Sequence, residues 1–328
     1  MKYLIAGLGS IGRRHLENLR ILDPEGEITI WHTHSHKGAV LAGGVREVFS
    51  FEDALRPKPD IAILATPAST HIPLAQKLAG AGIDIFIEKP VSSTRDGLAE
   101  LRQIQEANCT LIMVGYNLRF HPPLTVLKQC LTEGKIGRLL SIRAEVGQYL
   151  PEWRPGADYR TSVSAKTELG GGAILELSHE IDYARWLAGD VTTVMSMAER
   201  VSDLEIDGED LAEIILRFSS GALGSIHLDM VQRSPSRSCK MVGTLGTAIW
   251  DGMSDSVQVF TTETRQWTEV NPAGKQDRNQ MYLNELEHFL TCCRTRKDPS
   301  ISLTDGTRAL EIALAVLESS RTKRSVSL

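Results

Sequence analysis

Residues 2–12 read KYLIAGLGSIG, and this stretch decides the fold. Lys2–Ala6 is a short apolar run typical of a buried strand, and a helix-like segment follows the glycines. Gly7, Gly9 and Gly12 have the Gly-x-Gly-x-x-Gly spacing. In that spacing the first glycine permits a tight turn, the second lets a pyrophosphate approach the backbone, and the third lets helix and strand pack closely. The stretch therefore predicts the first strand–turn–helix unit of a dinucleotide-binding domain.

Short apolar runs alternate with helix-like segments over the first 120 residues. Strands that are apolar throughout are typical of burial on both faces, and hence of a parallel sheet between two helix layers. Alternation of strand and helix at this spacing is typical of the doubly wound arrangement. The sequence therefore predicts an α/β Rossmann domain with a parallel sheet over residues 1–121, with strands at Lys2–Ala6, Ile28–Trp31, Ile61–Ala65, Ile83–Ile87 and Thr110–Val114.

The pattern changes in the second part of the chain, where strand candidates follow one another without helices between them. Ala212–Phe218 and Ala222–Met230 flank a Ser-Ser-Gly turn, which is typical of a hairpin. Ala173–Leu187 has an apolar periodicity that predicts one helix after three glycines. Residues 122–328 are therefore predicted to form an α+β domain with a large, mostly antiparallel open sheet.

Composition and charge exclude several classes of protein. The chain has 328 residues with 36 Lys and Arg against 41 Asp and Glu, and a net charge of −5 argues against a strongly basic nucleic-acid-binding protein. No apolar run in the sequence approaches the roughly 18 residues of a membrane helix, and the first residues lack a signal-peptide pattern. None of the five cysteines forms a Cys-x-x-Cys pair, which favours free thiols. We expect a cytoplasmic protein with a small-molecule substrate and with no nucleic-acid or membrane partner.

The segment after the second predicted strand bears on the choice of dinucleotide. An NAD site usually has Asp or Glu about 20 residues after the glycine turn, where the carboxylate binds the ribose 2′-hydroxyl. That count from Gly12 arrives at His32, and residues 31–37 contain no acid. Hydroxyls, imidazoles and Lys37 would accept a 2′-phosphate, as would Arg13 on the facing turn, so the sequence favours NADP over NAD. The predicted cofactor contacts in this part of the chain are Gly7, Gly9, Ser10, Ile11, Gly12, Arg13, His32, Thr33, Ser35 and Lys37.

Alternate histidines in the same segment raise the question of a metal site. His32, His34 and His36 could face one side of a strand as ligands. No fourth ligand is evident in the sequence, and histidines around a ribose site are the simpler interpretation. We therefore expect no metal ion.

Two polar loops follow later strands of the predicted sheet. One is Thr66-Pro67-Ala68-Ser69-Thr70-His71 and the other is Glu88-Lys89-Pro90. In open α/β sheets the ligand lies beyond the carboxyl ends of the strands. Lys89 can donate hydrogen bonds to a substrate oxygen or relay its proton, whereas the alternative is an ordinary solvated lysine. The predicted cofactor contacts in these loops are Thr66, Pro67, His71, Glu88 and Lys89.

A second concentration of polar groups follows the glycines at 170–172. Glu176, His179, Glu180 and Tyr183 fall at i, i+3, i+4 and i+7 of the predicted helix, and therefore on one face. A carboxylate one turn before a histidine can orient it and raise its basicity, which suits general acid–base catalysis. The alternative is a surface face with a Glu–His contact.

Five motifs occur in a fixed order along the chain: Gly-Leu-Gly-Ser-Ile-Gly at 7–12, Thr-Pro-x-x-x-His at 66–71, Glu-Lys-Pro at 88–90, Gly-Tyr-Asn-x-Arg-Phe at 115–120, and the glycine-rich helix with His179. Together they resemble the Gfo/Idh/MocA (glucose–fructose oxidoreductase / inositol dehydrogenase) family over essentially the whole chain. The resemblance implies a Rossmann domain followed by an open sheet that often forms the oligomer interface, and hence a homodimer or homotetramer. It also implies hydride transfer between a nicotinamide and a carbinol or carbonyl carbon of a sugar, a cyclitol or a sugar nucleotide.

The resemblance further implies roles for individual residues. Lys89 would act on the substrate hydroxyl together with the histidine of the glycine-rich helix. Asn117 would lie near the nicotinamide, and Trp153 with Arg154 would contact the cofactor. The segment Thr304-Asp305-Gly306 is similar to the one that leads the family's last helix back to the nucleotide domain.

The sequence departs from the family pattern at the catalytic helix. The family places Asp four residues before the catalytic histidine, whereas Glu176 lies three residues before His179. Either His179 is catalytic in a helix that is shorter by one residue, or Glu180 occupies the position of the histidine. Because Ser-His-x-Ile-Asp at 178–182 matches the family, we predict that His179 is catalytic, with Lys89 and Glu176.

Polar side chains are predicted to recognise the hydroxyls or a phosphate of the substrate: Lys89, Arg119, Tyr149, Tyr159, Arg160, Lys166 and Glu180. Two other functions remain open on the same scaffold. A glycoside hydrolase would use tightly held NAD to oxidise a sugar transiently and eliminate the glycoside. A non-catalytic sensor would bind the dinucleotide without turnover, although Lys89 and the Glu–His helix argue against it.

Overall fold

The computed structural model describes residues 1–32, 45–270 and 277–328. They form two compact units. The first comprises Met1–Tyr116 and Arg278–Thr307, and the second comprises Asn117–Asp277 and Arg308–Leu328. The chain therefore returns to the first unit after forming eight of the nine strands of the second unit's sheet. The ninth is a short strand at the C-terminus.

The first unit contains a six-stranded parallel sheet with the order β3-β2-β1-β4-β5-β6. The strands are β1 Lys2–Ala6, β2 Glu27–Trp31, β3 Val45–Val48, β4 Ile61–Leu64, β5 Asp84–Glu88 and β6 Ile112–Gly115. Every residue of β4, β5 and β6 is buried, as expected for strands covered on both faces. The predicted doubly wound sheet is confirmed. Its order reverses between β1 and β4, and ligands bind at such switch points.

The short strand β3 was not among the predicted strands. It has four residues, and two of them, Arg46 and Glu47, are charged and exposed. An apolar run is the signal by which the other strands were recognised, and β3 lacks one. Its register pairs Ile30 with Glu47 and Trp31 with Val48, so its carboxyl end lies beside that of β2.

Four helices accompany the strands of the first unit in sequence: α1 Ser10–Leu22, α2 Phe51–Ala54, α3 His71–Gly80 and α4 Leu98–Asn108. The buried face of α1 is formed by Gly12, His15, Leu16 and Leu19, at helical spacing. Asn18 is buried as well, so two polar side chains are packed among the apolar residues of α1.

The second unit contains a nine-stranded sheet with the order β14-β13-β12-β11-β7-β10-β9-β8-β15. The strands are β7 Leu139–Gly147, β8 Val191–Glu199, β9 Leu211–Phe218, β10 Leu223–Asp229, β11 Ser236–Gly243, β12 Gly246–Asp251, β13 Ser256–Thr261, β14 Trp267–Glu269 and β15 Val326–Ser327. Neighbouring strands are antiparallel except β7 and β10. The predicted mostly antiparallel sheet and the hairpin of β9 and β10 are confirmed.

The two faces of this sheet differ in burial. Along β9, buried Ala212, Ile214 and Leu216 alternate with exposed Glu213 and Ile215. Three helices, α5 Pro122–Thr132, α6 Ala173–Glu176 and α7 His179–Ala188, pack on the sheet's strands. The opposite face keeps several large apolar side chains exposed.

The prediction of one continuous helix over Ala173–Leu187 is wrong. α6 ends at Glu176, and α7 begins at His179 after a two-residue turn. Leu177 has a ψ of 26°, which takes its carbonyl out of the helical direction. The apolar periodicity nevertheless runs through the break, because both short helices bury the same side of the segment. Periodicity alone therefore did not reveal the turn.

Two helices complete the fold: α8 Gln280–Thr295 and α9 Leu303–Thr322. α8 belongs to the first unit and packs beside α1. A single bridge joins Ser302, just before α9, to Met113 of β6. Among the residues that the structure describes, no helix combines the length and the apolar character needed to cross a bilayer.

Candidate functional site

The glycine turn between β1 and α1 has the geometry of a phosphate cradle. Gly7 has a φ of +90°, and a Cβ there would lie 2.7 Å from the Ala65 carbonyl oxygen. A Cβ on Gly12 would collide with the Gly7 carbonyl oxygen. A Cβ on Gly9 would meet nothing within 4 Å in the described part of the chain. Gly7 and Gly12 are therefore required by the turn itself, whereas Gly9 faces open space.

The start of α1 supports the same interpretation. Gly9 is the N-cap, and no side chain among the described residues caps this end of the helix. The first backbone N–H groups of a helix have no internal partner, and its dipole favours an anion there. Ser10, Ile11 and Arg13 follow at this end, and Arg13 is exposed. The turn therefore fits a dinucleotide pyrophosphate, which the open Gly9 surface would admit.

The carboxyl end of β2 holds an acid that the sequence did not place there. His32 Nε2 lies 2.7 Å from Glu47 Oε2, and the His32 ring stacks on Phe49 with 5.1 Å between centroids. Glu47 comes from β3, so only recognition of the Val-Arg-Glu-Val segment as a strand would have found it. The predicted contacts Thr33, Ser35 and Lys37, with His34 and His36, lie outside the described residues.

His71 ties two loops of the first unit together. It is buried, with Nε2 at 2.8 Å from the Thr66 carbonyl oxygen and Nδ1 at 3.1 Å from that of Pro90. Burial lowers the pKa of His71, because it disfavours the charged imidazolium more than the nearby carbonyls stabilise it. Thr70 Oγ1 donates to Thr66 Oγ1 at 2.7 Å. His71 therefore holds the Thr66-Pro67 loop against the segment that contains Lys89.

A second buried histidine reaches the same segment from α1. His15 is fully buried, and its Nε2 lies 2.6 Å from Glu88 Oε1. His15 Nδ1 has no hydrogen-bond partner within the described part of the chain, which favours the tautomer with the proton on Nε2. Glu88 Oε2 accepts from the Lys89 backbone N–H at 3.3 Å. The sequence signal that could have revealed this contact is the position of His15, three residues after Gly12 on the buried face of α1.

Lys89 is partly exposed between buried neighbours. The residues on either side of it, Glu88 and Pro90, are buried, and the Lys89–Pro90 peptide bond is cis. The backbone of this segment is fixed on one side through the Glu88 carboxylate and on the other through the Pro90 carbonyl. Its lysine side chain is thus carried by a rigid part of the sheet edge.

The glycine-rich segment of the second unit packs against a partly buried carboxylate, that of Glu209. Gly172 has a φ of +99°, and a Cβ there would lie 2.6 Å from Glu209 Oε1. The same oxygen accepts from the Ile174 backbone N–H at 3.0 Å. Burial raises the pKa of Glu209. Nothing in the local sequence marks Glu209, because it lies in a loop and its role is evident only from this tertiary contact.

The two candidates for the catalytic position have different surroundings. His179, the first residue of α7, is partly exposed, and so is Glu176. Glu180 is completely buried, and its two carboxylate oxygens accept from Arg237 at 2.7 and 2.9 Å. Glu180 therefore links α7 to β11, and this pairing accounts for its carboxylate.

Another bidentate ion pair engages Arg119. Its guanidinium donates to the two oxygens of buried Asp182 at 2.8 and 2.6 Å, and only 7% of the Arg119 side chain is exposed. This pair joins the segment after β6 to α7. Asn117, in the same segment, is buried. Arg119 thus has a structural partner that accounts for its position.

The other predicted substrate contacts lie on loops of the second unit. Arg160 is exposed and pairs with Asp158 and Glu205, and Lys166 Nζ lies 3.5 Å from Asp207. The Tyr149 ring lies under the Arg233 guanidinium at 3.5 Å. Three of the predicted residues, Trp153, Arg154 and Tyr159, line one cavity of about 170 Å³, together with Leu150, Ser162, Ser164 and others.

Among the described residues, no group of three His, Cys, Asp or Glu side chains is placed to bind a metal ion.

Two family models match nearly the whole chain. The model described as "Oxidoreductase family, NAD-binding Rossmann fold" matches residues 1–116, and "Oxidoreductase family, C-terminal alpha/beta domain" matches residues 128–328. This chain belongs to the Gfo/Idh/MocA family. It is therefore an oxidoreductase with a Rossmann domain of the NAD-binding kind, and the resemblance noted in its motifs is confirmed.

Named relatives match this chain over nearly their whole length. It is 27% identical over 345 residues to myo-inositol 2-dehydrogenase of Thermotoga maritima, with 100% of this chain and 98% of the relative covered. It is 26% identical over 344 residues to scyllo-inositol 2-dehydrogenase (NAD(+)) of Bacillus subtilis, covering 99% and 95%. The solved structure of a levoglucosan dehydrogenase in complex with NADH and levoglucosan superposes with a TM-score of 0.90 at 22% identity, covering 100% and 99%. At that identity the structural likeness shows the fold.

Proposed function

We propose that this oxidoreductase transfers a hydride between a nicotinamide dinucleotide and a CH–OH carbon of a sugar, a cyclitol or a sugar nucleotide. The observation that carries the proposal is the glycine turn. The open Gly9 surface and a helix start that no described side chain caps lie at the carboxyl end of β1, where the sheet order reverses. The named dehydrogenases of inositols among the full-length relatives support a polyol substrate.

The bound nicotinamide supplies the hydride acceptor or donor, and the protein supplies binding and proton transfer. We assign the pyrophosphate to Gly7, Gly9, Ser10, Ile11, Gly12 and Arg13, and the ribose to the region of His32. Thr66, Pro67, His71, Glu88 and Asn117 hold or flank the nicotinamide half, with Trp153 and Arg154 as further contacts. These assignments follow the sequence motifs. The hydrogen bonds of His71 to Thr66 and Pro90, and of His15 to Glu88, support a cofactor site with fixed loops.

Proton transfer is assigned to Lys89 and His179. In the oxidation direction, the substrate hydroxyl loses its proton to His179, directly or by way of Lys89, as hydride leaves the same carbon. Glu176 orients His179. The buried pairing of Glu180 with Arg237 supports His179 over Glu180 for this role. Tyr149, Tyr159, Arg160 and Lys166 are proposed to recognise substrate hydroxyls or a phosphate.

Net turnover of the cofactor tests the proposed function. The purified protein, with NAD or NADP and a panel of inositols, sugars and sugar nucleotides, should change the absorbance at 340 nm with at least one substrate. Lys89→Ala and His179→Ala should each lower kcat by roughly 10²–10⁴. Because groups that act in one step are not additive, the double variant should be no worse than the slower single variant. Cleavage of a glycoside without net reduction of the cofactor would establish the hydrolase instead.

We also propose that the protein works in the cytoplasm as a homodimer or homotetramer. All five cysteines lie within the described residues and are free thiols, which suits a reducing compartment. The outer face of the nine-stranded sheet exposes Met195, Met197, Ile215 and Leu223, and such a surface is typical of an oligomer interface.

A further inference from the structure

The carboxyl ends of β2 and β3 carry three side chains that pack on one another. The His32 backbone N–H donates to the Val48 carbonyl oxygen at 3.0 Å, which fixes this residue beside β3. The His32 ring stacks on Phe49 with 18° between the ring planes, and its Nε2 contacts Glu47 at 2.7 Å. Only 8% of the His32 side chain is exposed, against 30% of the Glu47 side chain. The cluster therefore presents a carboxylate, while the imidazole is mostly covered.

The position of this carboxylate matters for cofactor choice. In dinucleotide-binding domains, an Asp or Glu about 20 residues after the glycine turn accepts a hydrogen bond from the ribose 2′-hydroxyl. His32 stands at that position, at the end of the second strand. Strand pairing and the contact with Nε2 bring the Glu47 carboxylate beside His32 from β3. We propose that Glu47 makes this site select NAD over NADP, an inference that rests on the proposed binding of a nicotinamide dinucleotide at the glycine turn.

The His32–Glu47 pair offers no net positive charge to a 2′-phosphate in either state of the imidazole. With a neutral imidazole the pair has the full negative charge of Glu47. With an imidazolium the pair is neutral overall, and the positive ring is already held by its carboxylate. Neither state offers an unpaired positive charge to a 2′-phosphate, whose own charge near neutral pH is negative. The carboxylate can instead accept a charge-assisted hydrogen bond from an uncharged 2′-hydroxyl.

Besides Lys37, which lies outside the described residues, Arg13 favours the opposite choice. It is exposed on the first turn of α1, and a guanidinium can bind a phosphate through two hydrogen bonds. If Arg13 binds the pyrophosphate, which NAD and NADP share, it stabilises both dinucleotides alike and does not select between them. If it binds the 2′-phosphate, its removal weakens NADP alone. The two residues therefore make separable contributions to the ratio of affinities.

Equilibrium binding tests the proposal without reference to turnover. We would titrate the whole protein with NADH and NADPH, follow nicotinamide fluorescence, and compare wild type with Glu47→Gln, Glu47→Ala and Arg13→Gln. Wild type should bind NADH at least about tenfold more tightly than NADPH, a difference of about 1.4 kcal/mol. Glu47→Gln keeps the size of the side chain and removes its charge. It should therefore lower the ratio of NADPH to NADH dissociation constants about tenfold, mainly by tightening the binding of NADPH. Glu47→Ala should shift it in the same direction.

Glu27→Gln is the matched control. Glu27 is the first residue of β2, at the opposite end of the strand from His32, and it is exposed. Glu27→Gln removes the same charge from the strand beside that of Glu47, so an affinity ratio unchanged within twofold would show that the effect of Glu47 is local. Thermal unfolding of each variant shows that the fold is retained.

The possible outcomes separate the proposal from the function on which it rests. A wild-type preference for NADPH would overturn it. The proposal would also be overturned if the ratio of NADPH to NADH dissociation constants stayed within twofold of the wild-type value in both Glu47 variants. The same holds if this ratio changed only in Arg13→Gln. If the folded wild type binds neither dinucleotide, the proposed function itself fails. A ratio that moves toward NADPH in both Glu47 variants, but not in Glu27→Gln, establishes Glu47 as the determinant.

Discussion

At the scale of single residues, burial separates the two candidates for the catalytic position. His179 is partly exposed, whereas Glu180 is buried against Arg237. We expect His179→Ala to lower kcat by roughly 10²–10⁴ and to leave the melting temperature nearly unchanged. Glu180→Gln should do the reverse, because it removes the buried charge that pairs with the partly buried Arg237 guanidinium, at a cost of roughly 3 kcal/mol. Steady-state kinetics and thermal unfolding of both variants check this.

The reciprocal replacement Arg237→Gln is the control for the ion pair. It should lower the melting temperature about as much as Glu180→Gln does, while the double variant should lose less than the sum of the two. A Glu180→Gln protein that keeps its melting temperature but loses turnover would instead assign the catalytic position to Glu180.

The stability of the first unit should depend on pH through His71. Burial lowers the pKa of this imidazole, so the unfolded chain binds a proton below about pH 6.5 that the folded chain does not. The contribution of His71 to stability is therefore complete above that pH and is lost as the pH falls toward the lowered pKa. The free energy of unfolding should fall more steeply from pH 6.5 to 5 in wild type than in His71→Gln. Denaturant unfolding across that range measures the difference.

His227 provides the contrasting case. Its hydrogen bond with Asp229, supported by Glu213, raises the pKa of His227 to about 9. Its contribution is complete below about pH 6.5 and is lost as the pH rises toward 9. Relative to wild type, His227→Gln should therefore lose stability at pH 6 and lose less at pH 9.5. If the two histidine variants changed the pH dependence in the same direction, the assignments would be wrong.

At the scale of elements, the glycine turn separates a structural glycine from a binding one. A Cβ on Gly12 would collide with the Gly7 carbonyl oxygen, so Gly12→Ala should lower the melting temperature by several degrees. A Cβ on Gly9 meets nothing within 4 Å in the described part of the chain, so Gly9→Ala should keep its melting temperature. The added methyl would occupy the surface offered to the pyrophosphate, and we expect NADH affinity to fall about tenfold or more.

Thermal unfolding and NADH titration of the two variants check this difference. Gly134→Ala serves as a control for the loss of a glycine, since a Cβ there also meets nothing within 4 Å among the described residues, although its φ of +70° makes the replacement mildly strained. Unchanged NADH affinity in a folded Gly9→Ala protein would contradict the assignment of this surface.

The elements that sequence predicted well are those whose signal is local. β1, β4 and β5 each contain an uninterrupted apolar run, namely 3–6, 61–64 and 85–87, and the glycine spacing marks the turn without reference to any distant residue. β3 was missed because its pairing with β2, rather than its composition, makes it a strand. The break between α6 and α7 was missed because both helices bury the same side.

Only those site residues that lie in recognisable motifs could be predicted from the sequence. Lys89 and His179 stand in recognisable segments, but their supports come from afar in the sequence. His15 reaches Glu88 across 73 residues, and Glu209 reaches Ile174 across 35. Glu47 is a third case, since its carboxylate reaches His32 from another strand, across 15 residues. Contacts of this kind depend on tertiary pairing, which local patterns do not encode.

At the scale of the whole molecule, the exposed face of the nine-stranded sheet predicts self-association. Met195 and Ile215 are register partners on neighbouring strands, and each is more than half exposed, as is Met197. Covering these side chains with a second copy would remove apolar surface from water.

We expect wild type to have a mass in solution of two or four times 36.1 kDa, and Met197→Glu to shift that mass toward the mass of a single chain. Light scattering after size-exclusion chromatography measures this, with Met253→Glu as the control because Met253 is comparably exposed in the turn between β12 and β13. A monomeric wild type, or a Met253→Glu protein that dissociates while Met197→Glu does not, would place the interface elsewhere or remove it.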